Sequence, residues 1–381
     1  MFNVVCHYAE IGLKGKNRKF FEEKLASNIK KAIGFGNVKR ISGRILVEMD
    51  SLKGVEEKLK NVFGIANFSF AFSSSQDIEE IKKKALEVLK KETFSSFKVN
   101  CSRSNKNFAL TSVQVNERVG EFIVSCLGKK VDLTSPDLTL FIEIVDNYCF
   151  LFLEKIKGPG GLPVGVSGKA VSLISGGIDS PVASFYAMKR GIELVFCHFH
   201  SFPFTDKASL EKVIALVKVL TKYQFESKLY LIPFSSIQKE ILLKTKEKLR
   251  VLLYRRFMFK IAQEIAQKEK ARVLITGESV GQVASQTLPN MQATEEAVSL
   301  PNLKPVVGQD KEEIIQKAKE IGTFQLSIQP YNDCCSRFLP KHPETKANLR
   351  EVRSEEKKLN VEELIKKALK QKEICIIKIQ P

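Results

Sequence analysis

Residues 171–183 read Val171-Ser172-Leu173-Ile174-Ser175-Gly176-Gly177-Ile178-Asp179-Ser180-Pro181-Val182-Ala183. An apolar strand delivers a Ser-Gly-Gly turn, and Pro181 is placed to open a helix, where its missing N–H costs nothing. Free backbone N–H groups of the glycines and of the helix start then converge on one point and suit a phosphate or pyrophosphate. Glycine lets an anion approach the backbone where a Cβ would block it. Asp179 repels a bare phosphate, so its place in the turn points to holding Mg²⁺ between oxygens. A tight strand-to-helix turn of small residues without a ligand is the competing reading. No G-x-x-x-x-G-K-[ST] string occurs, so this is not a Walker A loop.

Downstream of this turn, strands alternate with long helices: strands at 169–174, 193–198, 228–233 and 272–276, helices at 181–190, 209–220, about 246–267 and 309–321. That alternation is the signature of a parallel sheet covered by helices on both faces, which binds ligands at the carboxyl ends of its strands. Upstream the order differs. Strand candidates at 2–8, 44–50 and 97–102 are mixed with helices at about 20–33, 52–61, 78–91 and 113–126. Residues 138–153 alternate like two strands joined at Asp146-Asn147. The upstream part is α+β, and a linker is expected at 156–168, where Gly158-Pro159-Gly160-Gly161-Leu162-Pro163 has turn chemistry and no periodicity.

The chain has 381 residues, which favours two or three domains. Hydrophobic residues at 44% and charged residues at 27% exclude wholesale disorder. Sixty-one Lys and Arg against 43 Asp and Glu leave +18, a field that favours a polyanionic partner such as nucleic acid. Ten of these cations lie between residues 11 and 44, against two Glu. Phe20, Phe21, Leu25, Ile29 and Ile33 form an apolar stripe there, which turns the basic residues outward. Lys14, Lys16 and Arg18, in a Gly-containing loop, are the candidates for phosphate contact. No secretory leader or run long enough to span a bilayer is present, so a cytoplasmic protein without membrane contact is expected. Eight cysteines without a C-x-x-C argue against a disulfide scaffold, a zinc ribbon or a cluster site, and for mostly buried, inert thiols.

The Ser175-Gly176-Gly177-Ile178-Asp179-Ser180 turn resembles the S-G-G-x-D-S PP-loop of enzymes that split ATP into AMP and pyrophosphate. Three further strings make the resemblance specific to the tRNA 4-thiouridine synthetases, the tRNA sulfurtransferase family. These are Glu10-Ile11-Gly12-Leu13-Lys14-Gly15-Lys16-Asn17-Arg18, residues 276–287 (Thr276-Gly277-Glu278 to Gln286-Thr287), and Lys304-Pro305-Val306-Val307-Gly308-Gln309-Asp310-Lys311. The resemblance implies a ferredoxin-like domain at 1–50, a THUMP RNA-binding domain at 51–155 and a PP-loop α/β catalytic domain at 169–381. It also implies ATP contacts from Leu173, Ile174, Ser175, Gly176, Gly177, Asp179, Ser180, His198, Phe199, Arg255, Gly277 and Gln286. Without it, His198 and His200 read as ordinary packing at a strand end. Of Arg255 and Arg256, one is expected to pair with phosphate and the other to be solvated. Lys311 sits at a helix start, an unfavourable place for a cation, and the resemblance puts it in the active site.

Sulfur delivery needs a thiol able to carry a persulfide. Asp333-Cys334-Cys335-Ser336-Arg337 resembles the family's redox-active segment, and Arg337 and Lys341 would favour thiolate at Cys335 or Cys334. One buried structural cysteine beside an exposed spectator is the alternative. Many members carry a rhodanese-like domain that nothing here resembles, so a separate carrier, a cysteine desulfurase or free sulfide is expected as donor. Cys375 lies in a strand-like run at 374–379 and reads as packed. The expected reaction is ATP-dependent adenylation of a tRNA uridine at O4, at position 8 by resemblance, followed by sulfur transfer to give 4-thiouridine. Mg²⁺, a homodimer and a link to thiamine synthesis are further expectations. Competing readings are another PP-loop adenylating synthetase and a non-catalytic RNA-binding protein.

Overall fold

Backbone pairing builds two sheets that share no strand. The computed structural model describes residues 2–202, 208–330, 340 and 342–379, and the chain divides into two compact units at Pro163/Val164. The first unit runs β1 (Phe2–His7), α1 (Arg18–Ile33), β2 (Asn37–Ile41), β3 (Arg44–Met49), α2 (Val55–Leu59) and β4 (Asn67–Ser74). It continues through α3 (Ile78–Leu89), β5 (Ser96–Arg103), α4 (Ser112–Leu127), β6 (Lys130–Val131), β7 (Leu138–Val145), β8 (Tyr148–Phe152) and β9 (Ile156–Lys157). These strands form one sheet in the order β2-β3-β1-β4-β8-β7-β5-β6, with β9 paired to β4. The turn expected at Asp146-Asn147 joins β7 to β8, and Asp146 takes φ 48° there. In α1, Leu25, Ile29 and Ile33 are buried as the stripe requires, but Phe20 is 54% exposed. Phe20 lies about 100° around the helix from the 21-25-29-33 row, so it cannot share that face.

The second unit runs β10 (Lys169–Leu173), α5 (Asp179–Lys189), β11 (Glu193–His200), α6 (Ala208–Thr221), β12 (Glu226–Pro233), α7 (Ser235–Lys244) and α8 (Arg250–Glu269). It continues through β13 (Val273–Ile275), α9 (Leu288–Glu295), β14 (Asn302–Leu303), α10 (Lys311–Glu320), α11 (Phe324–Ser327), α12 (Leu349–Glu356), α13 (Val361–Lys370) and β15 (Glu373–Lys378). The sheet order is β14-β13-β10-β11-β12-β15. Pairing is parallel from β14 to β12 as expected, and only the edge strand β15 runs antiparallel, against β12. The six central residues of β11 are buried on both faces, and all but His198 are apolar, as a strand covered on two sides requires. Helices α7, α9, α12 and α13 carry no expectation from the sequence. In α7 only Ile237 and Ile241 of four apolar residues are buried, one i, i+4 pair over about three turns, too short a repeat to read as a helix from sequence.

Arg256 corrects an expectation directly. It is 3% exposed rather than solvated, and it donates to both oxygens of Glu356, to Glu296 and to the Ala293 carbonyl. The pairing ties α12 and α9 to α8. Burial pushes the Glu356 carboxyl up, but Arg256 and Lys260 outweigh it and hold the carboxyl below its ordinary range. Its stabilising contribution is therefore complete at neutral pH and is lost as pH falls through that lowered value. Arg256→Ala, which strands a buried carboxylate, should destabilise this unit by roughly 3 kcal/mol. A denaturation midpoint unchanged at pH 7 would show that the pair contributes nothing.

Candidate nucleotide site and catalytic residues

The carboxyl ends of β10, β11 and β13 open into a cavity of about 490 Å³. Ten of the residues expected around ATP line it: Leu173, Ile174, Ser175, Asp179, Ser180, His198, Phe199, Arg255, Gly277 and Gln286. Gly176 and Gly177 lie in the turn but off the cavity wall. His198 is 5% exposed, and its Nδ1 is 2.9 Å from the Ile174 carbonyl oxygen, so it braces the end of β10 across to β11.

The Ser-rich turn is held by its own hydroxyls. The Ser175 N–H donates to Ser180 Oγ at 2.9 Å, and the Gly177 N–H donates to Ser175 Oγ at 3.2 Å. The Gly177 N–H is therefore engaged rather than free as expected, because the serine side chains satisfy donors that a ligand would otherwise meet. Helix α5 begins at Asp179 with no side-chain cap, leaving its first-turn N–H groups without that partner. Gly277 fixes where this turn sits. A Cβ there would lie 2.6 Å from the Ser180 nitrogen and 2.7 Å from the Asp179 carbonyl carbon, so only glycine lets the loop after β13 pack against the start of α5.

Asp179 is partnered on both oxygens. Lys311 Nζ donates to Oδ1 at 2.6 Å and Gln282 Nε2 to Oδ2 at 3.0 Å. Lys311 is the first residue of α10, and the helix start tolerates its charge because Asp310 caps the helix in a reciprocal box with Glu313 while Asp179 takes the ammonium. On the far wall, Arg255 donates to Glu278, which is 2% exposed. Glu278 appeared in the sequence only as part of the 276–287 string. Its signal there was a carboxylate beside an obligatory glycine at a strand end, which needs the fold to be read as a wall residue. Lys248, Met258, Phe259, Ser285 and Glu344 also line the cavity and were not anticipated.

Of the basic loop, Lys16 is exposed, Arg18 donates to the Gly12 carbonyl at 2.6 Å, and Lys14 lies 5.1 Å from the centre of the Phe21 ring. Burial pushes the thiols of Cys6 and Cys149 up to about 12 and that of Cys101 up to about 11, and raises that of Cys197 further. All four are buried, and a thiol raised in this way is held from the thiolate form at neutral pH. Cys375 is half-buried on β15 and Cys126 is exposed on α4. Cys334 and Cys335, with Arg337 and Lys341, lie outside the described residues.

A mostly parallel sheet whose first strand feeds a Ser-Gly-Gly-Ile-Asp-Ser turn defines a PP-loop unit, here following an α+β unit along the chain. The family described as thiamine biosynthesis protein (ThiI) matches residues 165–361, the ThiI ferredoxin-like domain residues 3–69, and the THUMP domain residues 75–154. The chain belongs to this family, the ThiI-type tRNA sulfurtransferases. It is 46% identical over 380 residues to a probable tRNA sulfurtransferase of Moorella thermoacetica, covering 98% of this chain and 97% of that one. It is 45% identical over 395 residues to its counterpart from Natranaerobius thermophilus, covering 98% and 96%. The crystal structure of a 4-thiouridine synthetase in complex with RNA and bound ATP superposes with a TM-score of 0.92 at 39% identity, covering 99% of this chain and all of that one. The resemblance read from residues 10–18, 276–287 and 304–311 thus holds over the whole chain.

Gly277→Ala should cost more than about 2 kcal/mol, because backbone rather than a side-chain tip must yield. The check is a lowered melting temperature together with weakened ATP binding, and an unchanged protein would show that the approach at Gly277 can relax.

Proposed function

We propose that this chain is a tRNA sulfurtransferase that adenylates a tRNA uridine at O4, at position 8, with ATP and then replaces that oxygen with sulfur. The observation that carries the proposal is the Asp179–Lys311 pair at the mouth of a strand-end cavity bordered by the Ser175–Ser180 turn. The similar 4-thiouridine synthetase, which binds RNA and ATP, supports both partners. Residues 1–50 and 51–155 form the tRNA-gripping part, and 169–381 the catalytic part.

Adenine and ribose enter between the ends of β10 and β11, and the phosphates lie along the turn and the start of α5. Lys311 moves from Asp179 onto phosphate as negative charge arrives, and so stabilises departing pyrophosphate. Uridine O4 attacks the α-phosphorus and the N3 proton is lost. A sulfur nucleophile then adds at C4, and O4 leaves as part of AMP. Among the described residues no cluster of three acidic, His or Cys ligands exists. The single Asp179 carboxylate suits Mg²⁺ only in its ATP-bound mode, where phosphate oxygens complete the shell. When bound there, the ion neutralises phosphate charge. Cys335, or Cys334, carries the persulfide delivered by a cysteine desulfurase or another donor; its outer sulfur adds at C4 as AMP leaves, and a second thiol then attacks the inner sulfur, releasing 4-thiouridine and leaving a disulfide that an external thiol reduces. The protein acts in the cytoplasm as a homodimer, and the same sulfur transfer serves thiamine synthesis. No described helix is long and apolar enough to cross a membrane.

An anaerobic assay combining unmodified tRNA, MgATP, the protein and either sulfide or a cysteine desulfurase with cysteine should give ATP-dependent 4-thiouridine. ATP splitting without sulfur in tRNA would leave an adenylating enzyme of another substrate; no ATP splitting would favour a non-catalytic RNA-binding protein. Asp179→Ala should abolish adenylation and leave tRNA affinity intact. Neutralising Lys14, Lys16 and Arg18 together should weaken tRNA binding and flatten its salt dependence, by about 0.9 in the log–log slope for each duplex phosphate that is no longer neutralised. An unaltered slope would remove the loop from the interface.

A further inference from the structure

Glu278 is a buried carboxylate at a cavity wall, and every partner it has is protein. One oxygen accepts from Arg255; the other accepts from Thr276 Oγ1 at 2.8 Å and from Asn302 Nδ2 at 3.2 Å. A carboxylate this buried is costly unless paired, and its three protein donors take up most of its acceptor capacity. Arg255 is different. It lines the cavity, its Nε is buried without a partner, and its guanidinium carbon lies 5.7 Å from the Phe259 ring centre. Glu278 therefore fixes the plane of a guanidinium that keeps donors to spare.

The pair also removes a charge. With Glu278 beside it, Arg255 presents hydrogen-bond donors but almost no net attraction for an anion. The neighbouring lining on α8 is apolar: Val251, Leu252, Met258 and Phe259. The reading proposed above already gives phosphate another address, the Ser175–Ser180 turn at the cavity edge, with Lys311 paired to Asp179 beside it.

Resting on the adenine-nucleotide binding proposed above, we propose that Glu278 is a positioning residue that, through Arg255, makes this wall read the uncharged nucleoside part of ATP rather than its phosphates. Thr276 and Asn302 brace the carboxylate, and their own contact at 3.1 Å makes the support rigid. The arrangement assigns selectivity for the nucleoside to a residue that does not touch it.

Calorimetric titration of the full-length protein and its Glu278→Gln variant with adenosine, AMP, ATP and pyrophosphate tests this. Glu278→Gln should weaken adenosine, AMP and ATP by the same factor, roughly tenfold or more, and leave pyrophosphate unaffected. The double variant Arg255→Ala/Glu278→Gln should bind no more weakly than Arg255→Ala alone, because both remove one unit. Thr276→Val, a milder change that keeps the carboxylate, should move the three nucleosides and nucleotides in the same direction by less. A loss that grows from adenosine to ATP would overturn the assignment to the uncharged part. Additive losses, or unaltered affinities in a variant of a protein that binds ATP, would overturn the positioning role while leaving the proposed function standing. Failure of the unsubstituted protein to bind any of the adenine compounds would overturn both.

Discussion

The catalytic unit depends on one close approach, that of the Gly277 backbone to the first turn of α5. Two loops from neighbouring strands must meet there without a side chain between them. Once they do, the Ser175–Ser180 turn, the Thr276-Gly277-Glu278 wall and the Gln286 loop border a single cavity. A methyl group at Gly277 would push against the Asp179 and Ser180 peptide atoms that close the Ser175–Ser180 turn, so the geometry of the cavity and the packing of the sheet are one constraint.

Charge within the cavity is balanced pair by pair. Asp179 is met by Lys311 and Gln282, and Arg255 by Glu278, while Arg256 is removed from the site and used to pin α12 and α9. These pairs differ in burial. Asp179 and Lys311 are partly exposed, so their contact is weakened by solvent and is cheap to break. Glu278 is nearly inaccessible, so its contact with Arg255 persists. The same cavity thus has an end suited to exchange and an end suited to holding shape.

The α+β unit follows a different logic. Its buried centre includes Glu143, which takes Arg44 and His7 from two other strands and so ties β7 to β3 and β1. Its basic loop is partly self-engaged, with Arg18 stapling Gly12 and Lys14 over Phe21. Lys16 and Arg18 are both exposed, and of the two Arg18 is already engaged with the Gly12 carbonyl.

Much of the site was legible in the chain because its chemistry is local. The Ser-Gly-Gly-Ile-Asp-Ser turn, the strand before it and the helix after it follow one another without a break over residues 169–189 and announce themselves by composition. Ten of the expected ATP neighbours line the cavity for the same reason, since residues at strand ends share one edge of a parallel sheet. The tertiary structure alone decided the pairings. Lys311 finds Asp179 across 132 positions, and Arg255 finds Glu278 across 23 from an unrelated helix. It also decided that Arg256 is a buried strut and that Gly277 is there to admit a backbone. Sequence periodicity records which face of an element is buried but not what is buried against it, because that depends on side-chain packing between segments distant in the chain.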